Sequence, residues 1–190
     1  MKVLKMRSRV SAFLVACVCA SLTGAAQSPS PKDSADAGSA PIKIAFFDVE
    51  MADFSAGGPL AGQSAEETAR INLTSQPLRE LFGKASRYQL IDISADHPGI
   101  SAVNAEAMRL HYIRDCNGCE VDIARALGAD QTFLGFFKKV SRMEGGLEFR
   151  IRDVKTGAIV KLAHTEWRGS TDESWTRAVT WLFKHRILDE

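Results

Sequence analysis

The sequence predicts an α/β (α+β) fold with a mixed sheet of about five strands, and three observations support this class. Amphipathic helical segments alternate with apolar strand segments in the first part of the chain, as in βαβ units. Three further strand segments follow, joined by the short glycine-containing turns that are typical of antiparallel hairpins. A last amphipathic helix closes the chain. We therefore expect a single domain of two or three layers over residues 42–190, with a carboxy-terminal antiparallel meander and helices packed on the sheet.

The first 26 residues have the pattern of a secretory signal peptide. The first nine residues contain four basic residues and no acidic residue. The uncharged apolar run from Val10 to Leu22 follows them, and small residues come after it. This run is too short for a membrane-spanning helix, which needs about 20 apolar residues, and no later segment approaches that length. We expect cleavage after Ala26, with Ala25 as the neighbouring choice, and a mature protein in the periplasm.

A lipobox-like segment offers an alternative way of processing the amino terminus. Leu14-Val15-Ala16-Cys17 would place a lipid on Cys17 and tether the protein to a membrane. The apolar run continues past Cys17, which favours the signal peptide instead.

The mature chain has the composition of a globular domain behind a short leader. Removal of residues 1–26 takes away four bases and no acids, so 24 bases and 23 acids become 20 and 23, a net charge of −3. Nothing in this charge balance attracts nucleic acid. Residues 27–41 are rich in Ser, Pro, Ala and Asp and predict a flexible leader.

The first half of the domain begins with a strand and a capped helix. The β-branched and aromatic run over Ile42–Val49 predicts a central strand, and the glycines and proline of Met51–Gly62 predict a loop. Ser64 and Glu67 form a capping box at the start of a helix. We expect Pro77 to kink or divide this helix.

A second strand is predicted over residues 88–93, whereas residues 100–115 give only a helical turn or two near Ala105–Tyr112. The apolar spacing of residues 121–127 then predicts a short helix that ends at Gly128 in the left-handed conformation. The strand that starts near Gln131 is too apolar to face water on either side, so we expect it to be central.

The last third of the chain predicts a meander and a helix. The central strand continues to about Met143, and two further strands cover Leu147–Val154 and Ala158–Trp167. Ser170 as N-cap and Glu173 three residues later predict a second capping box and a final amphipathic helix across the sheet.

This order of elements resembles the small α/β domain shared by the TolB amino-terminal domain and the CsgG proteins of curli secretion. The segments that carry the resemblance are Ile44–Asp48, Ala124–Asp130, Gly135 and Asp153–Gly157. Residues 119–124 and 167–175 are similar to a family of exported bacterial proteins of unknown function. The resemblance implies binding and assembly in the envelope rather than catalysis. This chain has neither the propeller that follows in TolB nor the membrane hairpins of the curli pore, so neither activity can be transferred.

Cys116 and Cys119 form a Cys-x-x-Cys pair before the helix of residues 121–127. In an oxidising compartment, such a pair is expected to form a disulfide. Because a helix amino terminus stabilises a thiolate, a redox-active pair with Cys116 as the nucleophile is the alternative. Asp115, Glu120 and Asp122 would raise a nearby thiol pKa, which favours a structural disulfide.

Two other groups of side chains are candidate binding residues. His111, Cys116 and Cys119 are of the ligand types that zinc and copper prefer, but a structural zinc site usually has a second paired cluster, and the sequence has none. Asp48 and Asp92 lie near the carboxyl ends of strands that we expect to be parallel neighbours, and this edge of an open α/β sheet binds ligands. Acids in that place more often cap the next turn.

The sequence contains no Gly-x-Ser-x-Gly, His-Glu-x-x-His or phosphate-binding glycine motif, so no catalytic residue and no cofactor are predicted. We expect a non-enzymatic periplasmic accessory protein that binds an envelope protein through a sheet edge or the loops at the strand ends. One surface tryptophan could serve as a partner contact. The alternative function is thiol–disulfide redox chemistry or metal handling through Cys116 and Cys119.

Overall fold

The computed structural model describes residues 40–91 and 93–189, so the signal peptide, Cys17, most of the leader and Asp92 lie outside these residues. Within them, six strands form one sheet: β1 (Ile42–Phe46), β2 (Glu50–Asp53), β3 (Tyr88–Ile91), β4 (Gln131–Lys139), β5 (Glu144–Asp153) and β6 (Ile159–Arg168). The helices are α1 (Gly58–Ala61), α2 (Ala65–Lys84), α3 (Ala102–Arg109), α4 (Cys119–Ala126) and α5 (Asp172–Arg186), with a 3₁₀ turn over Ile113–Asp115. No helix in the described ranges is long and apolar enough to cross a membrane.

The sheet has the order β3-β1-β4-β5-β6. β1 is parallel to both β3 and β4, whereas β4, β5 and β6 form an antiparallel meander. β2 continues the line of β1 and pairs in parallel with the second half of β4. The predicted mixed sheet with a carboxy-terminal meander is thus confirmed, as is the parallel pairing of the strands that precede Asp48 and Asp92.

The opening strand contains one extra residue where the sequence predicts an unbroken strand to Val49. Phe46 lies opposite Phe133 of β4 and Glu50 lies opposite Phe136, so four steps along this strand match three steps along β4. A bulge of this kind exchanges the two faces of the strand for every residue beyond it. Val49 therefore packs in the same core as Phe46, and Glu50 turns to the opposite face.

The segment that was predicted as a loop, residues 51–62, contains most of β2 and the helix α1. Glu, Ala and Asp are poor strand formers, and the parallel pairing with β4 supplies the ladder that local preference does not. The prediction that Pro77 divides the helix is also wrong, because α2 is one helix of 20 residues. The carbonyl that loses its intrahelical bond belongs to Leu73, which is half exposed and can be hydrated.

Most of the predicted helix ends are confirmed. The Ser64 hydroxyl accepts from the Glu67 amide at 3.2 Å, and the Glu67 carboxylate accepts from the Ser64 amide at 3.0 Å. Gly128 has a φ of 72°. The predicted second capping box is wrong, because the N-cap of α5 is Thr171 rather than Ser170, and its hydroxyl accepts from the Ser174 amide at 3.2 Å.

Hydrophobic cores lie on both faces of the sheet. The larger core lies under α2 and α5 and is centred on the packed rings of Phe46, Phe82, Phe133 and Phe183. The smaller core lies under α3 and α4 and includes no residue of β6 among those described. β4 is buried from Thr132 to Phe137 without alternation, which confirms that it is the central strand.

Gly145 of β5 provides a test of how tightly the sheet packs. A Cβ atom there would collide with the carbonyl oxygen of Lys138 and lie 2.9 Å from Nε1 of Trp167. We expect Gly145→Ala to lower the free energy of unfolding by about 3 kcal/mol, the upper end of the usual cost of overpacking, because backbone must move. Gly146→Ala is the matched control, since its Cβ would meet the nearest atom at 3.8 Å. Urea unfolding measures both variants, and equal stability of the two would contradict the prediction.

Candidate functional site

The cysteine pair lies where the chain turns into α4. Cys119 is the first residue of the helix, and Gly118 is its N-cap with a left-handed φ of 96°. Cys116 and Cys119 are joined in a disulfide with their Cα atoms 5.5 Å apart. Cys119 is buried and Cys116 is partly exposed, so Cys116 is the more accessible residue of the pair. The structural and the redox interpretations of this pair both stay predictions.

A buried carboxylate that the sequence analysis missed holds the loop before the disulfide. Glu50, at the start of β2, accepts hydrogen bonds from the amides of Ile113 at 2.9 Å and Arg114 at 3.0 Å. The guanidinium of Arg114 donates to the same carboxylate at 3.2 Å. Since charge-assisted bonds to a buried carboxylate are strong, Glu50 ties the 3₁₀ turn to the sheet independently of the disulfide.

A second buried carboxylate follows the disulfide directly. Glu120 is 2% exposed, and its Oε1 forms an ion pair at 3.2 Å with Nε of Arg152 in β5, without a hydrogen bond between them. The disulfide loop is therefore anchored to β2 on one side and to β5 on the other. Such anchoring suits a fixed structural element.

His111 has a left-handed φ of 53° and lies on the chain between α3 and the 3₁₀ turn. In the two described ranges, no three His, Cys, Asp or Glu side chains converge in a way that could hold a metal ion. The thiols of Cys116 and Cys119 are bonded to each other. The metal hypothesis for His111 and this pair rests on the sequence alone.

Asp48 lies at the bulge and does not end the strand line, because β2 continues beyond it. Its Oδ1 accepts hydrogen bonds from Nη2 and Nε of Arg79 in α2, at 3.0 and 3.3 Å. The Arg79 guanidinium lies 4.5 Å over the ring of Phe46. The structure gives Asp48 the role of pairing with α2, and a ligand site shared with Asp92 stays a prediction because Asp92 is not described.

The carboxyl ends of β2 and β4 meet in an ion cluster that sequence analysis also missed. Nζ of Lys139 lies 2.7 Å from Oδ2 of Asp53 and 2.6 Å from Oε1 of Glu67 in α2. The side chains of Lys139, Asp53 and Glu67 are only 12%, 11% and 16% exposed. Glu67 is the only one of the three that the sequence marks, as a capping residue. Its carboxylate both caps α2 and pairs with Lys139.

The cluster shifts the pKa values of its members. Burial opposes the charged forms of Asp53 and Glu67, but the hydrogen bonds from Lys139, with those from Ser55 and Ser64, outweigh it and lower both pKa values. The hydrogen bonds from Asp53 and Glu67 raise the pKa of Lys139. The lowered carboxyl pKa values contribute stability above about pH 4, the unfolded value, and that stability is lost as the pH falls through the lower folded values.

A cleft of about 540 Å³ opens beside this cluster. Arg70 of α2 lies in its wall and bonds to Glu66 at 2.8 Å and to Asp172 of α5 at 2.7 Å. The indole N–H groups of Trp167 and Trp175 are buried there without a hydrogen-bond partner among the described residues. Because Arg70 and Lys139 are each paired with two carboxylates, the arrangement ties strands to helices rather than offering free charge to a ligand.

β6 forms an open edge of the sheet, since β5 is its only strand partner in the described part of the chain. The amide of Gly169 donates to the carbonyl of Met143 at 2.8 Å, and this bond shows which residues of β6 form hydrogen bonds with β5. In such a ladder only alternate residues bond to the neighbour. The residues whose backbone groups point away from β5 are Leu162, His164, Glu166 and Arg168.

The described residues provide few hydrogen bonds to these outward backbone groups. Among the described residues, one bond reaches them, from the Thr165 hydroxyl to the Glu166 carbonyl at 3.3 Å. The side chain of Leu162 is more than half exposed beside them. An extended chain is the partner that matches such a row of donors and acceptors.

The comparisons with known proteins identify a family. Residues 42–187 match DUF3280, described as "Protein of unknown function (DUF2380)", and the chain belongs to this family. This agrees with the expected family of unknown function. The chain matches none of the curated proteins with which it was compared.

Several solved structures are similar to the chain at low sequence identity. The LpoB carboxy-terminal domain from Salmonella enterica has 14% identity and a TM-score of 0.44, over 70% of this chain and 87% of that chain. The lipoprotein GNA1162 from Neisseria meningitidis has 12% identity and a TM-score of 0.42, over 78% and 95%. The PelC dodecamer from Paraburkholderia phytofirmans has 17% identity and a TM-score of 0.40, over 77% and 88%. The likeness to TolB and CsgG stays a prediction.

We expect Lys139→Met to lower the free energy of unfolding at neutral pH by about 3–5 kcal/mol, because it leaves two buried carboxylates without their cation. The loss should shrink as the pH falls from about 4 through the lowered folded pKa values, where the carboxylates of the wild type become protonated and lose their bonds to Lys139. Lys138→Met is the matched control on the neighbouring residue, because Lys138 is 43% exposed and its partner Glu148, which is 14% exposed, keeps Arg150 at 2.9 Å. It should cost less than about 1 kcal/mol. Urea unfolding at several pH values measures both, and equal losses would refute the role of Lys139.

We expect Cys116→Ser combined with Cys119→Ser to lower the free energy of unfolding by about 2 kcal/mol or less. The bridge closes a very small loop, and Glu50 and Glu120 anchor the same segment. Thermal unfolding with and without dithiothreitol provides the control, because reduction of the wild type should reproduce the loss. Graded glutathione or dithiothreitol with thiol trapping should give a potential below about −300 mV, and a value between about −270 and −120 mV would contradict a structural disulfide.

Proposed function

We propose that this protein is a non-enzymatic accessory protein of the bacterial cell envelope that acts by binding a protein partner. The open edge of β6 carries this proposal. Its outward backbone groups can pair with an extended segment of another chain, the mode of binding in which main-chain hydrogen bonds supply the affinity.

The form of the edge supports this proposal. Long exposed edges invite pairing with other chains, so proteins that do not use them protect them with bulges, charges or proline. β6 has one bulge, at Val160, where Lys161 lies opposite Ile151 and Ile159 opposite Arg152. From Leu162 onward the strand pairs regularly with β5 to its end. This half carries the charged residues Glu166 and Arg168, but no bulge or proline, and its outward backbone groups and the exposed Leu162 are open to a partner.

Export supports a place in the envelope. The signal peptide predicted for residues 1–26 would direct the protein to the periplasm, and a lipid on Cys17 would tether it to a membrane instead. Both alternatives present the same domain to envelope proteins.

A second candidate function is thiol–disulfide exchange at Cys116. The partial exposure of Cys116 beside the buried Cys119 favours it, since the exposed sulfur of such a pair is the one that is attacked or attacks. The reduction potential described above separates this function from a structural disulfide.

A photo-cross-linking amino acid in living cells tests partner binding. We expect benzoylphenylalanine at Leu162 to give a covalent adduct with another protein, because this residue lies on the open edge. Leu60 in α1 and Val103 in α3 are matched exposed apolar controls elsewhere on the surface. Adducts at Leu60 or Val103 but not at Leu162 would support binding of a protein partner but contradict the edge of β6 as its binding site. No adduct at any of the three sites would reject the proposed function.

A further inference from the structure

We infer that Asn117 is a modification site, at which the side-chain amide is hydrolysed to a carboxylate, and that the disulfide of Cys116 and Cys119 protects it. The inference does not depend on partner binding at β6. It rests on the two residues between the cysteines, on the form of the turn that they make, and on the contacts that hold the chain before and after this turn.

The sequence of the turn favours this reaction. Asn117 is followed by Gly118, whose nitrogen is the least hindered nucleophile that a backbone offers, since glycine has no Cβ. This nitrogen attacks Cγ of Asn117 and gives its proton to solvent. A succinimide ring closes as the bond to the side-chain nitrogen breaks and ammonia leaves. Water then opens the ring at either carbonyl carbon, and the product is aspartate or isoaspartate.

The two reacting groups are free of hydrogen bonds. Asn117 is exposed, and its side chain bonds to no residue in the described ranges. The amide of Gly118 also donates to no described residue, whereas its carbonyl accepts from the amides of Val121 and Asp122 in α4. Neither reacting group is therefore protected by a hydrogen bond of its own.

The backbone of the turn keeps the reacting atoms apart. The Cα atoms of the two cysteines are 5.5 Å apart, which meets the definition of a β-turn centred on Asn117 and Gly118. Gly118 has a φ of 96° and a ψ of 5°. Asn117 has a negative φ, since His111 and Asp189 are the only described non-glycine residues with a positive one. These angles define a type II turn, in which the ψ of Asn117 is about 120°. Ring closure requires Cβ of Asn117 to eclipse the Gly118 nitrogen, and this ψ holds the two atoms out of that alignment.

The disulfide is the contact that fixes the turn. The chain before it is tied to the sheet by Glu50, which accepts from the amides of Ile113 and Arg114. The chain after it is α4, whose Ile123 is fully buried in the smaller core. Neither anchor depends on the bridge. Reduction by a dithiol, which is itself oxidised to a disulfide, therefore frees only the turn between the anchors and lets the asparagine rotate about ψ.

The product marks a protein that has once been reduced. A carboxylate at residue 117 lies between the cysteines, in a segment that already carries Asp115, Glu120 and Asp122. One more negative charge opposes the formation of a thiolate. Because the ammonia is lost to solution, this change is not reversed when the disulfide forms again.

Peptide mapping of the full chain by mass spectrometry tests the inference. The protein is kept in mildly alkaline buffer, either oxidised or with dithiothreitol, and the mass gained on conversion of the amide is followed at each asparagine. We expect conversion of Asn117 to be about tenfold or more faster in the reduced protein, because reduction restores the backbone freedom of this residue. Asn72 is the matched control, since it is exposed but lies within α2 and is followed by Leu73. It should keep its amide in both states.

Two variants separate the bridge from the reagent and locate the reaction. Cys116→Ser combined with Cys119→Ser should convert at the reduced rate without dithiothreitol, and Asn117→Gln should remove the conversion. The amides of β4 should stay protected from hydrogen exchange in the reduced protein, because only the turn is freed. Loss of that protection would assign the faster reaction to global unfolding and overturn the inference. Equal rates at Asn117 in the oxidised and reduced protein, or no conversion in the reduced protein, would overturn it as well.

Discussion

Burial of β4 on both faces is the constraint on which the rest of this structure depends. The strand has no solvent-facing residue from Thr132 to Phe137, so helices must cover the sheet on both sides. α2 and α5 cover one face with the larger core, and α3 and α4 cover the other with the smaller core. The helices α3 and α4 do not extend across the meander. β5 therefore alternates between buried and partly exposed side chains, as expected for a strand with one solvent-exposed face.

The bulge at Asp48 adapts the opening strand to this two-sided arrangement. By exchanging faces, it places Glu50 under the disulfide loop and Asp53 beside Lys139, the two sites where buried charge is satisfied. The disulfide and the Lys139 cluster lie on opposite faces of the same strand line. Both tie loops and helices to the central strands, which explains why these polar residues can be buried at all.

The open edge follows from the same architecture. β6 is the last strand of the meander, and α5 turns back over the larger core instead of covering the edge. Val179 and Leu182 bind the helix to that core, while Trp181 is left at the rim. The sheet thus leaves the outward backbone groups of β6 beside the partly exposed Trp181.

The sequence by itself determined the fold class, the buried character of β4 and the helix ends marked by Ser64, Glu67 and Gly128. These features depend on hydrogen bonds within one turn and on the periodicity of apolar residues, so neighbouring residues are enough to predict them. Only the tertiary structure decided the bulge and the pairing of Lys139 with Asp53, which are 86 residues apart. It also decided that β6 lies at an edge of the sheet. These features depend on which strands pair and in which register, and that choice is set by the sum of long-range contacts rather than by any local preference.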